Sequence, residues 1–138
     1  MYYDSYIDNL CAQSNDSTGK AHCDKAAIIS LDGASWTSPN HPHGIQLTPE
    51  EGLKIARMMK SGDFSSGQAN GILLEGVKYV FLLEAGNVAL AKRKGHGAIT
   101  IQKSKSAVVI GHTAEGCQQG NTNKAVGVIA DYLESVGL

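Results

Sequence analysis

Among side chains able to do chemistry, the chain offers five histidines, three cysteines and a crowd of tyrosines at its start. His41 and His43, in NHPH, have the i, i+2 spacing of a metal pair on a strand or loop, but no carboxylate or cysteine stands beside them at ligand spacing. A small metal-dependent enzyme built on that loop is one reading; a polar loop beside prolines is the plainer one. No G-x-S-x-G, phosphate-binding loop or Cys/His signature occurs, and KRKGHGA has too few glycines in register to cradle a nucleotide. The residues therefore imply no catalytic group, no metal and no cofactor. Cys11, Cys23 and Cys117 form an odd set without C-x-x-C spacing, and no apolar stretch at the start reads as a signal peptide, so reduced thiols in a cytoplasmic protein are expected. Cys117 follows a glycine in a loop, yet exposure alone does not make a reactive thiolate.

The tyrosines say more. Of five Tyr, two Phe and one Trp, Tyr2, Tyr3 and Tyr6 fall within MYYDSY. Chain ends fray unless something ties them down, so so aromatic a terminus is either docked on the domain or held ready for a ligand. On a helical wheel Ile7 and Cys11 centre an apolar stripe running from Tyr2 to about Ala12, with Tyr3 and Leu10 beside it, Tyr2 and Tyr6 toward its edge, and Asp4 and Asp8 on the other side. In GNTNKAVGVIADYLESVGL, Ala125, Val128, Ile129, Tyr132, Leu133 and Val136 share a helical face centred on Ile129 and Val136, with Tyr132 at its margin. If the two terminal helices pack side by side, Tyr3 or Tyr2, Tyr6 and Tyr132 converge, and Trp36 can join them. Such rings either fill the seam between helices and sheet or form a groove for a polyproline II segment, prolines packing on the rings and carbonyls accepting from Tyr hydroxyls and the indole N–H.

The remaining sequence supplies the frame. With 138 residues, a single domain over residues 1–138 buries one ordinary core without staples. Twelve basic against thirteen acidic residues argue against a general nucleic-acid binder, and the longest apolar runs, such as YVFLLEA, are far short of a membrane span. KAAIISLDGASW reads as a buried strand, an Asp32-Gly33 turn and a second strand carrying Trp36. TSPNHPHG breaks regular structure before a well-marked helix, with Thr48 as N-cap, Pro49 at the first position and Glu51 completing a capping box. After Gly62 come NGILLEG, VKYVFLLE, NVALAKRK, GAITIQK and SAVVIGHT, joined by two- or three-residue connections too short for parallel crossovers. The order helix, hairpin, helix, meander, helix predicts an α+β domain with helices covering an antiparallel sheet.

Five stretches together carry a resemblance: YYDSYIDNL, KAAIISLDGASW, GVKYVFL, KRKGHGAITIQKSKSAVVIG and GNTNKAVGVIADYLESVGL. Over essentially its whole length the chain resembles the profilins, small proteins that bind actin monomers. The opening is similar to the family's Trp-x-x-Tyr-[Val/Ile]-Asp start, with Tyr3 where the family usually has Trp. The resemblance implies a central antiparallel β-sheet of about six to seven strands, the N- and C-terminal helices packed together on one face and further helix on the other. It implies a non-enzyme, a monomer in the cytoplasm and cytoskeleton, binding monomeric actin and proline-rich factors such as formins so as to regulate polymerisation at growing filament ends. Carried over, the polyproline groove is Tyr3, Tyr6, Trp36 and Tyr132, with Leu133 beneath. The actin contact is Gln118, Gly120, Asn123 and Lys124 with Arg93 and Lys94, and phosphoinositide lipids would meet Lys92, Arg93, Lys94, Lys103 and Lys105. Lys124 is expected in the first turn of the last helix, where its charge costs a few tenths of a kcal/mol against the dipole. Leu138 replaces a frequent terminal aromatic, Gln118 a frequent histidine and Leu83 a frequent arginine; less ring area should weaken proline binding by about 1 kcal/mol per lost stack. The rival of another class is a dimeric scaffold or ligand-sensor domain of the same helix-plus-meander build, with the aromatics as core.

Overall fold

A computed structural model describes residues 3–38 and 40–138; Tyr2, weighed above as a groove residue, lies outside them. The elements are α1 (Asp4–Gln13), β1 (Cys23–Ser30), α2 (Pro49–Ser61), α3 (Ser65–Asn70), β2 (Ile72–Leu74), β3 (Val77–Ala85), β4 (Val88–Arg93), β5 (Gly97–Lys103), β6 (Ala107–Thr113) and α4 (Gln119–Ser135). The strands form one sheet in the order β1-β6-β5-β4-β3-β2, antiparallel throughout. The five-strand meander after Gly62 is thus present as β2 to β6, and β1 joins its far edge against β6.

Why β1 and β6 read as unbroken apolar runs follows from strand alternation, because successive side chains point to opposite faces and both faces are covered. Ala26, Ile28, Ala107 and Val109 meet Ile7, Leu10, Val126, Ile129 and Leu133 of the α1/α4 layer. Their neighbours Ala27, Ile29, Val108 and Ile110 join a second core cluster on the other side, with Ile55 and Met59 of α2 and Ile72 and Leu74 of β2. Gly111 lets α4 lie close on β6: a Cβ there would stand 2.7 Å from Val126 Cγ2 and 2.9 Å from Thr122 Cγ2.

The α2 start is as expected, with Thr48 Oγ1 accepting from the Glu51 N–H at 3.2 Å while Glu51 Oε1 accepts from the Thr48 N–H at 3.1 Å. The same buried carboxylate reaches further than the box. It also accepts the N–H groups of Glu75 at 3.0 Å and Gly76 at 2.8 Å. Both residues have positive φ, 51° and 79°, the backbone of the tight β2–β3 turn, and Glu75 pays for lacking glycine's freedom there. Glu51 therefore ties a helix start to the turn of a hairpin in one buried network.

Four expectations are corrected. The second strand after β1 is only an isolated bridge, Ile29 with Ser35, because Ser30 Oγ closes residues 31–34 into a wide turn by accepting the Asp32 and Ala34 N–H groups. Trp36 consequently lies on a loop, not a strand. On α4 the buried face is Thr122, Ala125, Val126, Ile129, Ala130 and Leu133, and Val128 and Val136 are exposed; Thr122 and Val126 seat against Gly111 of β6, so the helix is rotated from the face that its larger residues suggest. α4 begins at Gln119, which puts Lys124 in the second turn, past the reach of the dipole end. Finally, α3 has no apolar periodicity to announce it and is started by Asp63, whose Oδ1 accepts the Ser65 N–H and hydroxyl.

Candidate functional site

α1 and α4 run side by side over the sheet, and their tyrosines meet on the outer seam. Tyr3 stacks on Trp36 with centroids 5.0 Å apart, Tyr3 stacks on Tyr6 at 5.7 Å, and Tyr6 meets Tyr132 tilted at 6.0 Å. Trp36, Tyr3, Tyr6 and Tyr132 thus form one continuous row. Leu133, fully buried, lies under it, and the first three rings pack partly against the same core while Tyr132 is half exposed.

Local bonds fix the row. The Tyr3 N–H donates to the Trp36 carbonyl at 3.1 Å, and the Trp36 N–H donates to the Ile28 carbonyl at 2.8 Å. Asp4 Oδ1 accepts the Ser38 N–H at 2.6 Å, so the start of α1 clamps the Trp36 loop from both sides. Burial, then the neighbouring Tyr132 and Tyr3, push the Tyr6 hydroxyl above its ordinary value, which keeps it a donor. Beyond Tyr6 and Tyr132 a cavity of about 310 Å³ opens, with Ser5 and Asn9 on one wall and Val128 on the other.

Other expected residues are distributed as follows. Gln118 precedes α4 and its N–H donates to His22 Nδ1 at 2.9 Å; Gly120 and exposed Lys124 follow on the helix. Asn123 Oδ1 accepts from the Thr100 hydroxyl at 2.5 Å, fixing α4 over β5. Lys92, Arg93 and Lys94 are exposed at the β4–β5 turn. Lys103 and Lys105 stand at the opposite end of β5, roughly 20 Å away at strand rise, so the five cations do not form one patch. His41 and His43 serve the loop: His41 Nε2 lies 3.2 Å from Asp8 Oδ1, and His43 Nδ1 lies 3.0 Å from the Asp24 carbonyl. Among the described residues no group of three or more His, Cys, Asp or Glu side chains is placed to hold a metal, and no helix is long and apolar enough to cross a membrane.

One pair, a buried histidine with a more exposed aspartate, gives no sign in the sequence, because its members are far apart in the chain. His112 Nδ1 lies 2.5 Å from Asp24 Oδ1, and its Nε2 lies 2.6 Å from the His96 carbonyl. Burial pulls the His112 pKa down and Lys25 opposes its charge, but the Asp24 carboxylate and the His96 carbonyl outweigh them and hold it above the ordinary histidine value. A raised folded-state pKa stabilises the fold fully below the unfolded value near pH ~6.5 and is lost as pH rises through the folded value. Urea unfolding across pH 5.5 to ~8.5 should therefore show stability falling with pH in that window, and Asp24→Asn should flatten the slope; an unchanged slope in the variant would disprove the assignment.

The architecture and the row define a class: a layered α+β domain, antiparallel at its centre, that displays stacked rings on the seam of its terminal helices. The profilin family model matches residues 1–138, and the chain belongs to the profilin family. It is 56% identical over 140 residues to a profilin of Suberites domuncula and 55% identical to one of Heliocidaris crassispina, with 100% of each chain covered. Profilin II of Acanthamoeba castellanii superposes with a TM-score of 0.79 at 27% identity over 99% of both chains. Mouse profilin IIa, solved in complex with a double repeat from the FH1 domain of mDia1, shares the fold at a TM-score of 0.68 and 23% identity over 97% of each chain.

Proposed function

We propose that this protein binds monomeric actin on one surface and polyproline II segments on another, holding both at once and so regulating actin assembly. The observation that carries the reading is the unbroken row Trp36, Tyr3, Tyr6, Tyr132. Stacked rings at 5.0 to 6.0 Å make a ridged apolar face whose grooves accept proline rings, and Tyr hydroxyls supply donors for the ligand's carbonyls. Membership of the profilin family supports both ligand classes, and the mouse profilin complex with an FH1 repeat supports the choice of the proline-rich one.

For actin, the proposed contact is Gln118, just before α4, and Gly120, Asn123 and Lys124 on it, with Arg93 and Lys94 at the β4–β5 turn. Beside it β3 leaves Val80, Leu82 and Leu83 about half exposed, and such a group of apolar side chains suits a protein partner. Leu82 is the extra residue of a bulge between Phe81 and Leu83, which turns two successive side chains outward. A phosphoinositide contact would rest on Lys92, Arg93 and Lys94; Lys103 and Lys105 could engage a lipid surface only as a separate point. The protein does no chemistry in this reading.

The test is whether saturating monomeric actin elutes the protein from polyproline beads. Simultaneous binding predicts that it stays on the beads and brings actin with it; elution would mean that the surfaces overlap and that the reading fails.

A further inference from the structure

We propose a second ligand site, for a fatty-acid carboxylate, in the cavity of about 560 Å³ between α2, α3 and the β2–β3 hairpin. Its volume lies within the range typical of small-molecule sites. It is far from the aromatic row, on the opposite helical layer, and does not depend on the function proposed above.

Three cations surround it. Lys54 and Arg57 stand one turn apart on the exposed face of α2, and Lys78 of β3 faces them across the opening. None of the three has an ion-pair partner among the described residues, whereas Lys25 and Lys60 pair with Glu75 and Asp32. The acid on the rim, Asp63, is engaged in starting α3 through Ser65. The mouth of the cavity is therefore net cationic and its charges are uncommitted.

The interior is of the other kind. Met58 and Ile72 form an apolar floor and Leu73, 42% exposed, an apolar wall. Gly67 and Gly71 line the cavity without side chains; a Cβ at Gly67 would stand 3.1 Å from Met58 Sδ, and one at Gly71 would stand 2.7 Å from the Tyr79 carbonyl oxygen. A cationic mouth over an apolar interior complements an anionic head on a hydrocarbon chain. Inorganic phosphate would satisfy only the mouth, and an uncharged chain only the floor.

Amide NMR titration with decanoate, below its micellar range, tests the site. Saturable shifts are expected at Gly67, Gly71 and Leu73, with the Trp36 indole signal unmoved. From hexanoate to decanoate the affinity should rise two- to fourfold per methylene, as burial of each CH₂ requires. Decanol and inorganic phosphate should each bind at least tenfold more weakly than decanoate. Lys54 and Arg57 are exposed, so the Lys54→Gln, Arg57→Gln double variant should fold normally, keep polyproline retention and lose decanoate affinity at least tenfold. Shifts elsewhere, equal affinities for hexanoate and decanoate, or undiminished binding by the double variant would each overturn the proposal.

Discussion

Trp36→Ala should abolish retention on polyproline beads and leave actin binding unchanged. The indole stacks on Tyr3 at one end of the row, and among the described residues no other aromatic ring stacks on that side of Tyr3. Truncating an aromatic anchor costs about 2–3 kcal/mol, or roughly 30- to 150-fold in affinity. Its loss should also leave the fold intact, because Trp36 is only partly buried and its loop is held by backbone groups and by the side chains of Asp4, Ser30, Ser35 and Thr37, none of which needs the indole. Lys124→Glu should do the reverse. Lys124 and Tyr132 are eight residues apart on α4, roughly 12 Å along the axis, and share no partner, so the two losses should add independently. Bead retention and pull-down of monomeric actin by both single variants and the double variant check this; a Trp36→Ala protein that still binds the beads would remove the row from the ligand site.

Glu51→Ala should be the most damaging substitution of a charged residue. Its carboxylate is 3% exposed and accepts three backbone N–H groups, from Thr48, Glu75 and Gly76. Removing it leaves those donors without partners, at about 1–3 kcal/mol for each that water cannot reach. Gly76 is exposed and can be rehydrated, so a total near 3 kcal/mol is expected, a fall of about 10 °C in Tm. Glu51→Gln should cost about half as much, since the amide oxygen can serve two donors while its NH₂ opposes the third. Thermal and urea unfolding of both variants decide it. A loss under about 0.5 kcal/mol for Glu51→Ala would mean that the network is not what holds the β2–β3 turn.

What could be read from the sequence was local. Thr48, Pro49 and Glu51 sit within one helical turn, and the meander's turns are marked by Glu75-Gly76, Gly86-Asn87 and the glycines around His96; chemistry of that range is written in neighbouring residues. The row was legible for the same reason at first order, because helical spacing puts Tyr3, Tyr6 and Tyr132 at the edges of buried stripes. Its fourth member depends on more: Trp36 joins through a backbone bond to Tyr3, and the strand-like pattern of its segment is overridden by Ser30, whose hydroxyl closes the turn. Longer-range matters stayed hidden. Asp24 and His112 give no pattern across the chain that separates them, Glu51 reads as a capping residue with no hint of Gly76, and the α2/α3 cavity is assembled from segments that individually look like solvated surface. The rotated face of α4 was missed because counting large apolar residues ignores how closely small ones let a helix approach.

The position of β1 has a consequence for synthesis. Among the strands it pairs with β6 alone, its other edge making isolated bridges to Ser35 and Gly44, and α1, which lies beside it, packs on α4. Ala27 and Ile29 can meet Ile45, Ile55 and Met59 early, but Ile7, Leu10, Ala26 and Ile28 lack β6 and the α4 residues Val126, Ile129 and Leu133 until most of the sequence has left the ribosome. At roughly 5–20 residues per second that wait is on the order of several seconds, long enough for an apolar strand to be bound by a chaperone or to meet another chain. The meander can close early from its short turns, but the opening segment must wait for its last partners, and no fragment lacking α4 can present the complete row.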